Sequence, residues 1–331
     1  MISVIIVNYN GYDVIQDCLQ ALERQTFKEF EIVIVDNGST DNSLDYLNRY
    51  KNSSSSVRPI KLATLSQNLG FSGGNIEGLR HAEGEFIALL NNDTEPHERW
   101  LEELVKEIGS SSDIGICASM LIEHGSEVVD SAGDGFSAAL KGFKRGEGRN
   151  KVHFNTQELV FGACAGAALY KREMLDEIGF LDDDFFLIYE DTDLNFRVQL
   201  AGWKVLYVPT AIVWHKVRSS IGIMSDTAVY YSLRNSELVK FKSVPAIILL
   251  RCLPELIIST IAEFFYFAVK HKKTGLYFKA KIDAFKMFPQ MLRKRKEVMK
   301  TRKVSDKYLL SIMTPVWQGD FFRAKLRKIF S

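Results

Sequence analysis

Short apolar runs alternate with stretches of helical spacing along the first third of the chain. Residues 2–7 are continuously apolar, as in a strand covered on both faces, and lead into the turn Asn8-Tyr9-Asn10-Gly11. Val14, Ile15, Cys18, Leu19 and Leu22 then fall on one helix face, predicting a helix over residues 12–24. A second apolar run, residues 30–35, ends at Asp36-Asn37-Gly38-Ser39, and Ser39 or Thr40 can cap a helix over residues 44–50. Residues 52–56 read as a polar loop. Residues 60–65 predict a third strand, followed by Asn68-Leu69-Gly70-Phe71-Ser72-Gly73-Gly74-Asn75 and a helix to His81. Residues 85–90 predict a fourth, ending at Asn91-Asn92-Asp93-Thr94, with a helix over residues 95–108.

Strands and helices in this rhythm predict βαβ units and a mostly parallel, Rossmann-like α/β sheet with helices on both faces. Ligands of such sheets bind at the carboxyl ends of the strands. Four polar turns at that one edge would therefore form one site.

Beyond residue 120 the rhythm changes. Residues 124–157, rich in Gly, Lys and Asp, predict an excursion or hairpin over the sheet edge, and residues 159–170 a strand of small apolar residues. Residues 182–193 are dense in carboxylates, residues 194–201 are helical, and residues 205–208 and 211–215 are strand-like around Pro209. From about residue 219 the βαβ pattern is lost. Residues 246–269 are mostly apolar, but Arg251, Glu255, Ser259, Glu263 and Lys270 share an arc of about 120° of one helix. That pattern fits a helix lying in a membrane interface or packed in a helical appendage, and the charges disfavour a simple span.

Net charge is +1, but residues 1–239 carry 35 Asp/Glu against 21 Lys/Arg, whereas residues 240–331 carry 6 against 21. The basic segment, with Leu276, Tyr277, Phe278, Ile282, Phe285 and Phe288 interleaved, suits an anionic membrane surface better than nucleic acid, for which the apolar helix would have no role. The expected division is a domain over residues 1–218 and a helical, basic, membrane-associating region over residues 219–331. Four cysteines without a C-x-x-C pair read as reduced thiols of a cytosolic protein. Residues 2–7 are too short, and lack a basic leader, for a secretory signal. The expected location is the cytoplasm, peripheral on the inner face of the membrane.

Several residues could carry chemistry, each with a local alternative. Asp36 could accept hydrogen bonds from a nucleoside or simply shape its turn. Asn91 and Asp93 could serve a hard cation bridging a diphosphate, or Asp93 could cap the next helix. Glu190, Asp191 and Asp193 place three acids at a helix start, where a carboxylate beside aromatic bulk suits general-base work but acids also favour a first turn. His215 could complete a metal site or be structural.

Together and in order, Val7-Asn8-Tyr9-Asn10-Gly11, Val35-Asp36-Asn37-Gly38-Ser39-Thr40-Asp41, the Asn68–Asn75 turn, Leu90-Asn91-Asn92-Asp93-Thr94, Tyr189-Glu190-Asp191-Thr192-Asp193 and Trp214-His215 resemble the family 2 inverting glycosyltransferases of GT-A fold. The resemblance covers about residues 1–218 and lies nearest the rhamnosyltransferase-like branch, in which Phe161-Gly162-Ala163 also looks alike.

The resemblance implies roles. Asn8, Tyr9, Asn10, Asp36, Asn68, Gly73, Asn91 and Asn92 would bind the nucleotide-sugar donor. Asp93 and His215 would hold Mg²⁺ or Mn²⁺. Asp191 would be the general base, assisted by Glu190, and Gly166, Tyr189 and Asp193 would meet a saccharide or lipid-linked acceptor. Asn91 stands where many members have Asp, lowering the charge at the metal. No Gln-x-x-Arg-Trp motif of the polymerising synthases is present, which favours transfer of one sugar, with dTDP-rhamnose the expected donor and a UDP-hexose, UDP-GlcNAc or UDP-galactofuranose the alternative. A homodimer is compatible with this reading. A nucleotide-binding module without catalysis would require the acidic segment to be only a capped helix. A nicotinamide oxidoreductase is disfavoured, because the Gly-rich turn is not G-x-G-x-x-G and follows the third strand.

Overall fold

The computed structural model describes residues 1–52, 58–216 and 224–316. The expected boundary at 218/219 and most of the expected loop at residues 52–56 lie outside the described residues.

The expected βαβ half is present. Strands β1 (Ile2–Asn8), β2 (Phe30–Asp36), β3 (Ile60–Thr64) and β4 (Phe86–Leu90) are parallel, in the spatial order β4-β1-β2-β3. Helices α1 (Tyr12–Glu23), α2 (Ser43–Asn52) and α3 (Gly70–His81) connect them. Asn8 pairs in register with Asp36, so the first two polar turns leave the sheet at one level. Next come β5 (Thr94–Pro96), α4 (Trp100–Ile108), β6 (Ile114–Glu123), β7 (Val129–Ala132), a hairpin of β8 (Asp134–Phe136) and β9 (Gly142–Lys144), and β10 (Glu158–Val160). They are followed by β11 (Ala167–Lys171), α5 (Arg172–Ile178), α6 (Glu190–Leu200) and β12 (Lys204–His215). Among the described residues the main sheet runs β10-β12-β6-β11-β4-β1-β2-β3, with β11 antiparallel to both neighbours, β5 on β12 and β7 on β6.

Alternation along the strands sends side chains to both faces. Val4 and Ile6 pack with Ile15, Leu19 and Leu22 of α1 and Trp100 and Leu104 of α4. Ile5, Ile87 and Leu89 join Met174 and Leu175 of α5 and Leu194 and Val198 of α6 on the other face.

Three predicted elements are corrected. The helix expected over residues 95–108 begins only at Trp100; residues 94–96 instead pair with β12, where Pro96 sits in a short strand that needs few backbone donors. The strand expected over residues 159–170 is split into β10 and β11, because Asn195 of α6 bonds both the N–H (3.1 Å) and C=O (2.9 Å) of Ala163 and pulls the intervening backbone out of the ladder. The two short strands around Pro209 are one, β12, whose register shift between Val208 and Ile212 absorbs the proline.

The C-terminal region is helical as expected: α7 (Asp226–Lys242), α8 (Ala246–Arg251), α9 (Leu253–Phe264) running into a π-helical turn (Phe265–Lys270), α10 (Thr274–Lys286), α11 (Phe288–Lys300) and α12 (Asp306–Ile312). The single helix expected over residues 246–269 is interrupted at Cys252, just before Pro254 enters the first turn of α9. No helix of the described residues is long and apolar enough to cross a membrane. Nor is the region an appendage. Leu238, Val239, Ile248, Met291 and Leu309 share a core with Phe136 of the hairpin and Phe196 and Leu200 of α6.

A shared core makes the two parts unfold together. Phe136→Ala, which removes a fully buried ring, is expected to lower the unfolding free energy by about 3–5 kcal/mol. It should also speed hydrogen exchange of the α7 amides in step; unchanged α7 exchange would show that the parts are independent.

Candidate functional site

The four polar turns at the strand ends are laced into one surface by short side chains. Asn92 Nδ2 donates to Asn8 Oδ1 (2.9 Å), joining the turn after β4 to β1. Asn10 N donates to Ser39 Oγ (3.0 Å), and Thr40 N donates to Asn10 Oδ1 (2.7 Å), joining the turns after β1 and β2. Asn37 Nδ2 donates to Asn68 Oδ1 (3.1 Å), and Leu69 N to Asn37 Oδ1 (2.9 Å), adding the turn after β3. Gly11 is required here, since a Cβ would stand 2.2 Å from Asn92 Nδ2 and 2.5 Å from Asn8 Oδ1. Tyr9 is exposed at the rim, and Gly73 lies in the first turn of α3. Asp36 is buried; its Oδ2 accepts from Ser39 N (3.1 Å), while Oδ1 has no partner. A buried carboxylate oxygen left without a donor is costly, so it is a natural acceptor for a ligand's N–H or O–H.

Asp93 and His215 meet where β12 runs beside β5. Asp93 Oδ1 lies 3.3 Å from His215 Nε2, close to the roughly 3 Å between adjacent ligands of an octahedral ion of Mg²⁺ size. One carboxylate and one imidazole facing each other at this spacing fit a divalent cation. The other ring nitrogen, Nδ1, is held by Asp130 Oδ2 (2.9 Å), which in turn accepts from Lys144 Nζ (2.8 and 2.9 Å to its two oxygens). A carboxylate on the far nitrogen fixes ring orientation and tautomer at a metal site. Burial opposes the charged ring, but the bonds to Asp130 and Asp93 prevail and push the His215 pKa up to about 9. Burial would raise Asp130, but His215 and Lys144 pull it down to about 2.

The acids Glu190 and Asp191 open α6 at the end of an unusual loop. Phe186, Ile188 and Tyr189 have φ of 62°, 65° and 75°, a region side chains rarely occupy. The loop is held by α7: Asn235 Nδ2 donates to the carbonyls of Phe185 (2.8 Å), Leu187 (2.9 Å) and Ile188 (2.7 Å), and Arg234 Nη2 donates to that of Asp184 (2.6 Å). Phe186 O also accepts from Ser72 N of α3 (3.0 Å). Gly70 (φ +74°) passes so near that a Cβ would stand 2.3 Å from that oxygen.

Burial raises the Asp191 pKa, opposed by the backbone N–H groups of Thr192 and Ala165 and by the Lys144 charge. Glu190 is more deeply buried, with Oε2 unpartnered, and burial together with Asp191 raises it well above the usual range. Gly166 O accepts from Asn91 N (2.9 Å), joining the start of β11 to the Asp93 turn. Lys144, which bonds Asp130 behind His215, also acts on Asp191, so one cation links the acid to the Asp93–His215 corner.

Asp193 does not face this space. It is fully buried; its Oδ2 accepts from Lys242 (2.7 Å) and Arg197 (2.9 Å) and its Oδ1 from Ser243 Oγ (2.8 Å), so the expectation of an acceptor contact is corrected to a structural one. Tyr189 is half-buried against the C-terminal core, which leaves part of its ring for a ligand. Asp182, Asp183 and Asp184 lie close enough together to hold an ion, but Lys294 reaches all three and Lys242 bonds Asp182, so their charge is already met.

Sequence reasoning missed Asp130, Lys144, Asp134 and Asn235. Asp134 is buried near Asp191; burial and that charge raise its pKa well above the usual range. The first three lie in the segment read as an excursion, and nothing in the pattern of α7 marked Asn235.

Residues 3–179, more than half of the chain, match the family described as Glycosyl transferase family 2, and the chain belongs to that family. It is 24% identical over 222 residues to the poly-beta-1,6-N-acetyl-D-glucosamine synthase of Staphylococcus epidermidis, covering 67% of this chain and 51% of that protein. The chain thus spans about half the length of that curated relative. The fold is similar to that of S. aureus TarS 1-349 in complex with UDP-GlcNAc (TM-score 0.56, 18% identity, 91% of this chain and 88% of that one). It is likewise similar to the mannosyltransferase PcManGT from Pyrobaculum calidifontis in complex with GDP-Man and Mn²⁺ (TM-score 0.55, 16% identity, 91% and 85%). The resemblance to family 2 and the GT-A-like fold read from the motifs are thereby borne out.

Asn235→Ala would leave the Leu187 and Ile188 carbonyls without this donor, while Phe185 O keeps Arg234 Nη2 (3.2 Å) and Leu187 N (2.7 Å), and is expected to lower stability by about 1–3 kcal/mol. Exchange of the amides around residue 188 should rise; wild-type exchange there would remove Asn235 as the clamp. In protein stripped of metal, His215 contributes stability that is fully present below its ordinary value of 6.5 and lost as pH rises through about 9. The thermal midpoint of the wild type should therefore fall over that window more steeply than that of His215→Gln. Parallel pH curves for the two proteins would refute this.

Proposed function

We propose that this member of glycosyl transferase family 2 transfers a single sugar, with inversion, from a nucleotide-sugar donor to a saccharide or lipid-linked saccharide in the assembly of a cell-surface polysaccharide. The observation that carries the reading is the Asp93–His215 corner, 3.3 Å across, at the strand ends that also carry the laced turns. Lys144, bonded to Asp130 behind His215, acts on the Asp191 carboxylate as well.

In this reading the nucleoside lies on the laced turns. Asp36 Oδ1 accepts a hydrogen bond from its base or ribose, and Asn8, Asn10, Asn68 and Asn92 keep the turns rigid around it, with Tyr9 and Gly73 at the rim. Asp93 and His215 would hold a divalent cation, Mg²⁺ or Mn²⁺, which supplies neutralising charge for a diphosphate leaving group. Asn91, two residues before Asp93, makes the corner less charged than an Asp pair would. Asp130 and Lys144 hold the His215 ring in place. Asp191 takes the proton of the acceptor hydroxyl as that oxygen attacks the anomeric carbon from the face opposite the diphosphate. A single displacement of this kind inverts configuration. Burial and the neighbouring Asp191 charge favour the protonated form of Glu190.

dTDP-rhamnose is the donor this reading favours. UDP-GlcNAc, the ligand of the TarS structure that the fold resembles, is the second arm of a donor screen. Asp191→Asn is expected to keep donor affinity and lose turnover by about 10²–10⁴-fold. Product analysis on the best donor should show inverted configuration at the transferred sugar. Wild-type turnover by Asp191→Asn, or a retained anomeric configuration, would sink the mechanism.

A further inference from the structure

Of the eighteen exposed large apolar side chains in the described residues, thirteen lie between residues 247 and 292. They form two stripes at helical spacing. Leu250, Leu253, Ile257, Ile261, Phe265 and Val269 follow α8, α9 and the π-helical turn; Phe278, Ile282, Phe285, Phe288 and Leu292 follow α10 and α11. Leu250 is 71% exposed, Phe285 63% and Phe265 58%. The stripes adjoin, since Phe264 stacks edge-on or tilted against both Phe265 (5.8 Å) and Phe278 (6.1 Å).

The polarity of these helices is the reverse of that of a helix facing water. Glu263 of α9 and Lys281 of α10 point into the protein, paired with each other, with Lys141 and with Glu237, while isoleucine and phenylalanine point out. From residue 246 to residue 300 the exposed charged side chains are all Lys or Arg except Glu297, which pairs with Lys300 near the end of α11. An apolar face of this size with a predominantly cationic rim matches a surface that is apolar below and anionic at its head groups.

We propose that the α8–α11 face is a monotopic membrane-docking surface that seats the protein on an anionic bilayer, with the apolar stripes in the acyl boundary and Lys270, Lys272, Lys279, Lys286 and Arg293 at the phosphates. The surface is coupled to the candidate site. Lys141, which pairs with Glu263 of α9, precedes Gly142, whose backbone packs against Thr192 beside Asp191. A docked face thereby holds the acceptor side of the site at a fixed height over the leaflet, where a lipid-linked acceptor would be presented. The anionic cytoplasmic leaflet is the fitting surface.

The test uses the full chain and vesicles of phosphatidylcholine with or without phosphatidylglycerol, with no donor or acceptor present, so that failure here leaves the transferase reading standing. Co-sedimentation should be at least tenfold stronger on the anionic vesicles and should weaken with added salt. Ile257→Glu/Ile261→Glu, at two exposed positions, should reduce binding tenfold or more with an unchanged thermal midpoint. Should that variant fail to fold, the lipid-charge and salt comparisons on the unsubstituted chain still decide. Negligible binding to both vesicles would overturn the proposal. So would light scattering that shows a dimer of the full chain that Ile257→Glu/Ile261→Glu dissociates, because the face would then belong to a second copy.

Discussion

The carbonyls of Phe185, Leu187 and Ile188 all end on one side-chain amide, that of Asn235. Without that donor, a loop with three side-chain-bearing residues at positive φ would relax toward ordinary conformations, and the start of α6 would move with it. Glu190 and Asp191 sit at that start. The position of the acids therefore depends on a residue of α7, far along the chain. Lys242 and Ser243 bind Asp193 at the other side of the same helix turn, so α6 is gripped from the C-terminal region at two points. The helices after residue 224 are part of the site's construction.

The strand-end turns are built on a different plan. The turns after β1 to β4 carry asparagine and serine side chains that bond one another across strands, so their backbone groups and amides are largely spent on rigidity. Among the described residues here, Asp36 Oδ1 and the hydroxyls of Ser43 and Ser72 are left without a partner. A surface whose other polar groups are satisfied is preorganised, and a ligand that supplies the missing partners binds without first breaking protein hydrogen bonds. The Asp93–His215 corner follows the same logic: Asp130 and Lys144 fix His215 by its far nitrogen, leaving Nε2 directed at Asp93.

Electrostatics distinguishes the acids by depth and partners. Asp191 accepts from Thr192 N (2.6 Å) and lies in the field of Lys144. Glu190 and Asp134 are more buried and less supported, and each feels the Asp191 charge. Of the three, Asp191 has the most support for a charge and is the one not fully buried.

The sequence by itself determined the βαβ half and its four polar turns, because apolar runs of strand length and helical spacing are local patterns and the strand-end rule places their turns together. It also marked Asp36, Asp93, Asp191 and His215, whose residue types stand out at element ends. The alternation of apolar and cationic residues after residue 246 was legible too, although not which face the charges would turn inward. Only the tertiary structure decided that residues 94–96 join β12, that Asp193 is locked by Lys242, that Asp130 orients His215, and that Asn235 holds the loop before the acids. Each of these joins residues separated by tens of positions in the chain, and their energies come from burial and hydrogen-bond geometry, which no local periodicity encodes.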